Sequence, residues 1–377
     1  MRRPVLALVL VAGCYRPDLE PPCTVTCTAT SGCPGSQVCL ADGLCHAEGG
    51  GCSDDTDAGT DAPAELCLGR TSGLLRFCGS VPIQGVLVLD GAIDTLGTAC
   101  TAYQPPGGGP ELCVVFAEAI QVVNLRATGA RPLLLSATTT IHVTGELDVS
   151  SKRNEARGAG GPYMGCGFPA SPATDQGAAG GSFQGRGGAG GGVAGAQGPI
   201  GATPQTPTFI RGGCNGGIGS NNNVAQPSAG GGAVYLIAGG TITIDGRINA
   251  SGAGGQAGIG GGNGGGSGGL IGLDGAQVMI GGQVFANGGG GASGYVLSMS
   301  EHGANPTAPD APALGGTNPS DGGSGGRGGY LGDNDGAPGV GVTGKHGGGG
   351  GGGVGWVFLP MGTIWPVGNV SPAPQLF

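Results

Sequence analysis

The sequence predicts an all-β chain: a parallel β-helix or related β-solenoid with long glycine-rich inserts, preceded by a small disulfide-rich module. Three observations carry this. Short apolar runs of period two recur around a central glycine, which is the pattern of paired strands joined at a turn. Glycine supplies 92 of the 377 residues, and 71 of these fall between Gly158 and Gly355. Thirteen cysteines complete the picture. With aromatics at 4% and charges at 10%, the chain has neither the rings for a conventional core nor the usual charged shell, so a typical compact enzyme domain is disfavoured.

Residues 1–13 read as an export signal: Arg2 and Arg3, an apolar run from Val5 to Ala12, then Gly13 and Cys14. The run is too short to span a bilayer, which takes about 20 residues. Val11-Ala12-Gly13-Cys14 resembles the lipobox of bacterial lipoproteins, with Val where Leu is usual. That resemblance implies cleavage before Cys14, lipidation of Cys14, a tether over 14–22, and a membrane partner reached through the anchor. Several acyl chains suffice for stable attachment. Tyr15 stands where the inner-membrane retention signal of enteric lipoproteins has Asp, so an outer-membrane or cell-surface location is expected.

Setting Cys14 aside leaves twelve cysteines in even groups: Cys23, Cys27, Cys33, Cys39, Cys45 and Cys52; Cys67, Cys78, Cys100 and Cys113; Cys166 and Cys214. In an exported chain these read as disulfides. Six cysteines allow fifteen connectivities, and spacing does not choose among them. The first group, over 23–52, resembles the small Cys-rich modules, loosely EGF-like or Dickkopf-like, of myxobacterial-type lipoproteins. Zinc is the sharper alternative, but only Cys23-x3-Cys27 approaches paired-ligand spacing; no metal or cofactor is expected. Residues 53–66 form an acidic linker too poor in apolar residues to pack. Residues 15–66 carry nine acids against Arg16 alone, much of the chain's net charge of −9. No basic stripe exists to neutralise phosphates, so nucleic-acid binding is disfavoured.

From residue 67 onward the repeat dominates. Ile141, Val143, Leu147 and Val149 match Ile242, Ile244, Ile248 and Ala250, then Val278, Ile280, Val284 and Ala286; Ile120, Val122, Leu125 and Ala127 form a further copy 21 residues before the first. Twenty-odd residues per turn is a solenoid period, with Ile141, Ile242 and Val278 as rungs of one interior ladder. The alternative is an antiparallel sandwich with hairpins at the glycines, whose freedom at positive φ suits a turn. A last copy from Trp356 carries Pro366 and Pro372, which suit a terminal cap. Glycine often recurs at every third residue, in the inserts of about 152–232 and 288–353, as in Gly192, Gly195, Gly198 and Gly201 and in Gly341 through Gly353, and between them from Gly252 through Gly264. This matches an extended helix of three residues per turn. The spacing resembles the polyglycine-II arrays of Gly-rich phage tail-fibre adhesins, and disorder is the other reading.

Chemistry is sparse. Asp148, Asp245 and Asp274 are the carboxylates that a carbohydrate-active β-helix would use, although Asp148 and Asp245 sit where turn capping is expected. His46, His142, His302 and His346 are scattered and read as surface residues. Asn221 to Asn223 and Tyr163, Phe168, Phe183, Tyr295 and Tyr330 sit on loops that could meet a glycan or pin themselves. The expectation is a non-enzymatic surface protein with a structural or adhesive role, contacting a surface, matrix, glycan or protein partner. The alternative is a polysaccharide lyase or hydrolase, for which three or more carboxylates should share one open groove.

Overall fold

The computed structural model describes residues 26–28, 32–33, 37–41, 43–46, 66–80, 82–161, 163, 165–167, 169–193, 196–222, 226–295, 300–318 and 322–377. Cys14, Cys23 and Cys52, with the signal segment and nearly all of the acidic linker, lie outside these residues. The chain divides into two compact units, Met1–Ala64 and Glu65–Phe377. Among the described residues of the first, β1 (Val38–Cys39) pairs antiparallel with β2 (Cys45–His46), and disulfides join Cys27 to Cys39 and Cys33 to Cys45. Three of these sulfurs lie within 4.8 Å of one another, yet all are consumed in disulfides rather than offered as thiolates. His46 is 3% exposed, not the surface residue expected.

The second unit is all-β, with no helix among its described residues. Its strands are β3 (Leu66–Leu68), β4 (Phe77–Gly79), β5 (Ile83–Asp94), β6 (Thr101–Tyr103), β7 (Leu112–Thr128), β8 (Leu133–Asp148), β9 (Ala233–Ile244), β10 (Arg247–Asn249), β11 (Leu270–Ile280), β12 (Gln283–Phe285), β13 (Trp356–Leu359), β14 (Val370–Ser371) and β15 (Gln375–Leu376). Leu66 thus belongs to a strand and not to the linker. Disulfides join Cys67 to Cys78, Cys100 to Cys113 and Cys166 to Cys214.

An eleven-stranded sheet curls around one aliphatic core. Strands β5, β7, β8, β9, β11, β13 and β15 pair in parallel in that order, and β8 continues past its bend to pair in parallel with β10, followed by β12 and β14. Antiparallel hairpins at the glycines are therefore overturned. Ile120, Ile141, Ile242 and Val278 occupy one register line, and Leu125, Leu147, Ile248, Val284 and Val370 another. Every one of these side chains is at most 5% exposed. The other face of the first half-strands is also covered, with Leu134, Tyr235, Ile237 and Leu270 packed against Leu68, Leu75 and Phe77. Burial on both faces explains the near-continuous apolar runs there.

The central glycines serve a different purpose from the one their flexibility suggests. Gly145, Gly246 and Gly282 do not have positive φ. Instead they stack: a Cβ on Gly246 would lie 1.9 Å from the Gly145 carbonyl oxygen, and one on Gly282 would lie 1.8 Å from that of Gly246. Close approach to the backbone of the neighbouring strand's bend excludes a side chain. Only in the last copy does the equivalent glycine, Gly368, take φ of +90°.

The described residues of the glycine-rich inserts are ordered. Residues 347, 350 and 353 donate backbone N–H bonds to 175, 178 and 181; residues 348, 351 and 354 donate to 340, 337 and 334; residues 349, 352 and 355 donate to 292, 289 and 286. The carbonyls of 346–354 accept in the same threefold rhythm from 323–329, 262–268 and 185–191. Each third residue faces the same neighbour, as an extended helix of three residues per turn requires. The seven-glycine run 347–353 therefore lies at the centre of six neighbouring segments, with every peptide group bonded. A Cβ at any of these seven positions would come within 1.9–2.2 Å of a backbone oxygen. The predicted row from Gly192 to Gly201, of which Gly195 lies outside the described residues, does not form one helix, because Gly191 bridges Gln197 antiparallel. Gly344, with φ of +68°, is in a turn.

Candidate functional site

The parallel register places polar side chains in a line. Alternation along each strand turns Leu125, Leu147, Ile248 and Val284 inward, so the residue before each turns outward. Those residues, Asn124, Glu146, Arg247 and Gln283, occupy one register line that begins at Asp90 of β5. Five positions at the strand spacing of about 4.8 Å make a row roughly 19 Å long. Arg247 donates from Nη2 to Glu146 Oε2 at 2.8 Å, which raises the affinity of the guanidinium for its proton, and the Glu146 N–H donates to Asn124 Oδ1 at 3.4 Å.

Beside this row runs an open groove, about 400 Å³ over Asp90, Asn124, Arg126, Glu146, Asp148, Lys152 and Glu155. A second stretch, about 440 Å³, shares Asn124 and Glu146 and continues past Asp245, Arg247 and Gln283. Asp90, Glu146, Asp148 and Glu155 thus meet the condition of several carboxylates in one groove. Their pairing decides what they can do. Asp148 is 4% exposed and lies 2.9 Å from Arg126 Nη1 and 2.8 Å from Lys152 Nζ, while its Oδ1 accepts the Ser150 N–H at 2.8 Å. Burial pushes its carboxyl up, but the Lys152 ammonium, the Ser150 donors and the Arg126 charge outweigh that and hold it below the usual carboxylate value. Turn capping at Asp148 is therefore borne out, with an ion-pair network added. Asp245 instead makes an exposed contact with His142 Nε2 at 2.7 Å.

Asp274 is elsewhere, beneath the β3–β4 hairpin. It accepts the Arg70 N–H at 2.7 Å, and Tyr235 takes the Leu74 N–H at 3.3 Å on its hydroxyl. Burial raises the Asp274 carboxyl, opposed by the Arg70 N–H and charge. It fastens the hairpin to the sheet and does not line the groove.

The loop aromatics divide. Phe183 is fully buried, not a surface contact: Arg211 sits 4.0 Å above its ring and 4.9 Å from that of Tyr163. Arg211 is itself 3% exposed, and burial pushes it down to about 10. Tyr163 packs edge-on against Phe209, and Tyr330 lies beneath Arg327. Tyr295 bridges Gly260 through its backbone. Asn221 takes φ of +51°, and Asn222 donates to the Gly261 carbonyl at 2.9 Å. Phe168 and Asn223 lie outside the described residues. His346 meets Asp175 at 3.1 Å, and His302 Nδ1 accepts the Ala257 N–H at 2.9 Å.

The repeat itself aligns Asn124, Glu146, Arg247 and Gln283, each one residue before a matched apolar position, but sequence reading followed only the inward residues, and Asp90 lies outside the copies it matched. Comparison with protein-family models, with curated proteins and with solved structures finds no match for this chain.

Proposed function

We propose that this chain is an exported, lipid-anchored surface protein whose parallel stack forms a β-solenoid and whose role is adhesive rather than catalytic. The outward row Asp90, Asn124, Glu146, Arg247 and Gln283 carries this reading. A rigid line of hydrogen-bonding groups at regular spacing suits an extended polar polymer such as a surface glycan, which offers donors and acceptors at intervals. The saturated glycine array supports the same reading, since it holds loops rigidly with little side-chain volume. Cys14 is the anchor in this scheme, with the outer membrane or cell surface as its location.

The enzymatic reading draws on the four carboxylates of the groove. Glycoside hydrolysis needs one carboxyl with a raised pKa facing another. Asp148 is shifted the opposite way, and Asp274, which is raised, lies under the hairpin. A glycan and cell-envelope binding screen with the full chain tests the proposal. Arg247→Ala combined with Asn124→Ala should weaken retention about tenfold, the loss of one or two hydrogen bonds to a ligand. Release of oligosaccharides that stops in Asp148→Asn would establish the enzyme instead. Labelling with radioactive palmitate, lost in Cys14→Ser, tests the anchor.

A further inference from the structure

A second pocket, about 170 Å³, adjoins the groove and shares Lys152 and Glu155 with it. Its walls include Lys152, Arg153, Arg157, Gln226, Ser228 and Gln256. Three cations and one carboxylate, Glu155, thus line a small space on a chain of net charge −9. Lys152 is engaged by Asp148, and Glu155, itself part of the wall, has its carboxylate 3.9 Å from Arg126. Arg153 and Arg157 have no carboxylate partner among the described residues; Arg157 donates only a long bond, 3.5 Å, to Gln226.

Two polar atoms of these walls are orphaned. Ser228 is 6% exposed and its Oγ has no hydrogen-bond partner; Arg153 Nε is buried and equally unpartnered, although its Nη1 reaches the Gly303 carbonyl. Buried donors left unpaired cost free energy, and native chains rarely leave them so. Burial also lowers the proton affinity of Arg153, the mark of a cation lacking a counter-ion.

We propose that this pocket binds a small tetrahedral oxyanion, a phosphate or sulfate group. The space is below the 300–1,000 Å³ typical of pockets for drug-sized ligands. It suits one compact group that accepts bonds from several directions at once. Lys152, Arg153 and Arg157 supply the positive charge such a group requires. The inference is independent of the adhesive reading, because the polar row and the pocket use different donors.

The test is thermal unfolding of the full chain in sodium phosphate, sodium sulfate and sodium chloride at matched ionic strength. Phosphate or sulfate should raise the midpoint saturably, as a ligand of the folded state does, and chloride should not. Arg157→Gln should weaken the apparent affinity about tenfold or more, the loss of a charge-assisted hydrogen bond. Ser228→Ala should weaken it by a smaller factor while leaving the ion-free midpoint unchanged. Equal responses to all three salts, or variants that respond like the parent, would overturn the proposal. Dextran sulfate set against inorganic sulfate separates the sources: competition that disappears in Arg157→Gln identifies a polymer-borne group, and binding of the inorganic ion alone identifies a free one.

Discussion

Replacing Gly350 by alanine probes the glycine array at its centre. The new Cβ would stand 2.0 Å from the Gly188 carbonyl oxygen. Restoring an ordinary contact of 3.4 Å demands a retreat of 3.4 − 2.0 = 1.4 Å. The segment that must retreat is held to the central helix by N–H bonds from residues 185, 188 and 191, at 3.1, 2.8 and 2.7 Å. Moving it breaks all three, at about 1 kcal/mol each. Overpacking strain adds about 1–3 kcal/mol, and the stiffer unfolded chain of the alanine variant returns about 0.4–1 kcal/mol. The expected loss is about 4 kcal/mol, or a fall in Tm of roughly 5–10 °C. The control is Gly107→Ala, where no atom lies within 4 Å and φ is not positive. It should be neutral or stabilising by up to about 1 kcal/mol. Chemical unfolding followed by circular dichroism, with disulfides intact, compares the two. Equal stability of the two variants, within about 0.5 kcal/mol, would refute the close-packed array.

Three further outcomes follow from the same structure. Asp148→Asn should cost about 2–3 kcal/mol at neutral pH, because it strips Arg126 and Lys152 of their shared partner. Its folded pKa is lowered, so the wild-type advantage is present above 3.8 and closes as pH falls below that value in acid titrations of unfolding. Asp274 runs the other way: with a raised folded pKa, its ionisation lowers stability as pH climbs from 3.8 through the folded value. Asp274→Asn should therefore flatten that decline, and a steeper decline in urea unfolding across pH 4–8 would contradict the burial argument. Removing the Cys166–Cys214 bridge, which spans 48 residues, should cost about 4 kcal/mol against about 3 for Cys67–Cys78, which spans 11, as read from denaturation midpoints of the double Cys→Ser variants.

Much of the sheet was legible in the sequence, because an aliphatic residue at every second position has only one way to stay dry. Ile141, Ile242 and Val278 became a rung as the repeat implied, and Leu147, Ile248 and Val284 became the next. The purpose of the glycines was harder to read. Gly145 and Gly246 suggest a turn when the chain is read alone, whereas their constraint comes from a carbonyl of the neighbouring strand, that of Val123 and that of Gly145. A period of three states that residues share a side, but not which segments face it, so the six neighbours of 347–355 emerge only in three dimensions. The site was least legible. Asn124, Glu146, Arg247 and Gln283 each precede a matched apolar position and so were aligned by the repeat, but a period-two pattern marks which residues are buried and not which outward ones share a groove with Asp90, Asp148 and Glu155. Asp148 looked like a cap and is one, yet Arg126 reaches it from the neighbouring strand.

Amide hydrogen exchange across Gly347–Gly355 tests the central claim most directly. Nine consecutive N–H groups, each bonded to another segment and buried, should be protected as strongly as those of β9 and β11. Exchange of that run at the rate of an unstructured peptide, with the strands still protected, would show that the glycines do not pack and that only the sheet is folded.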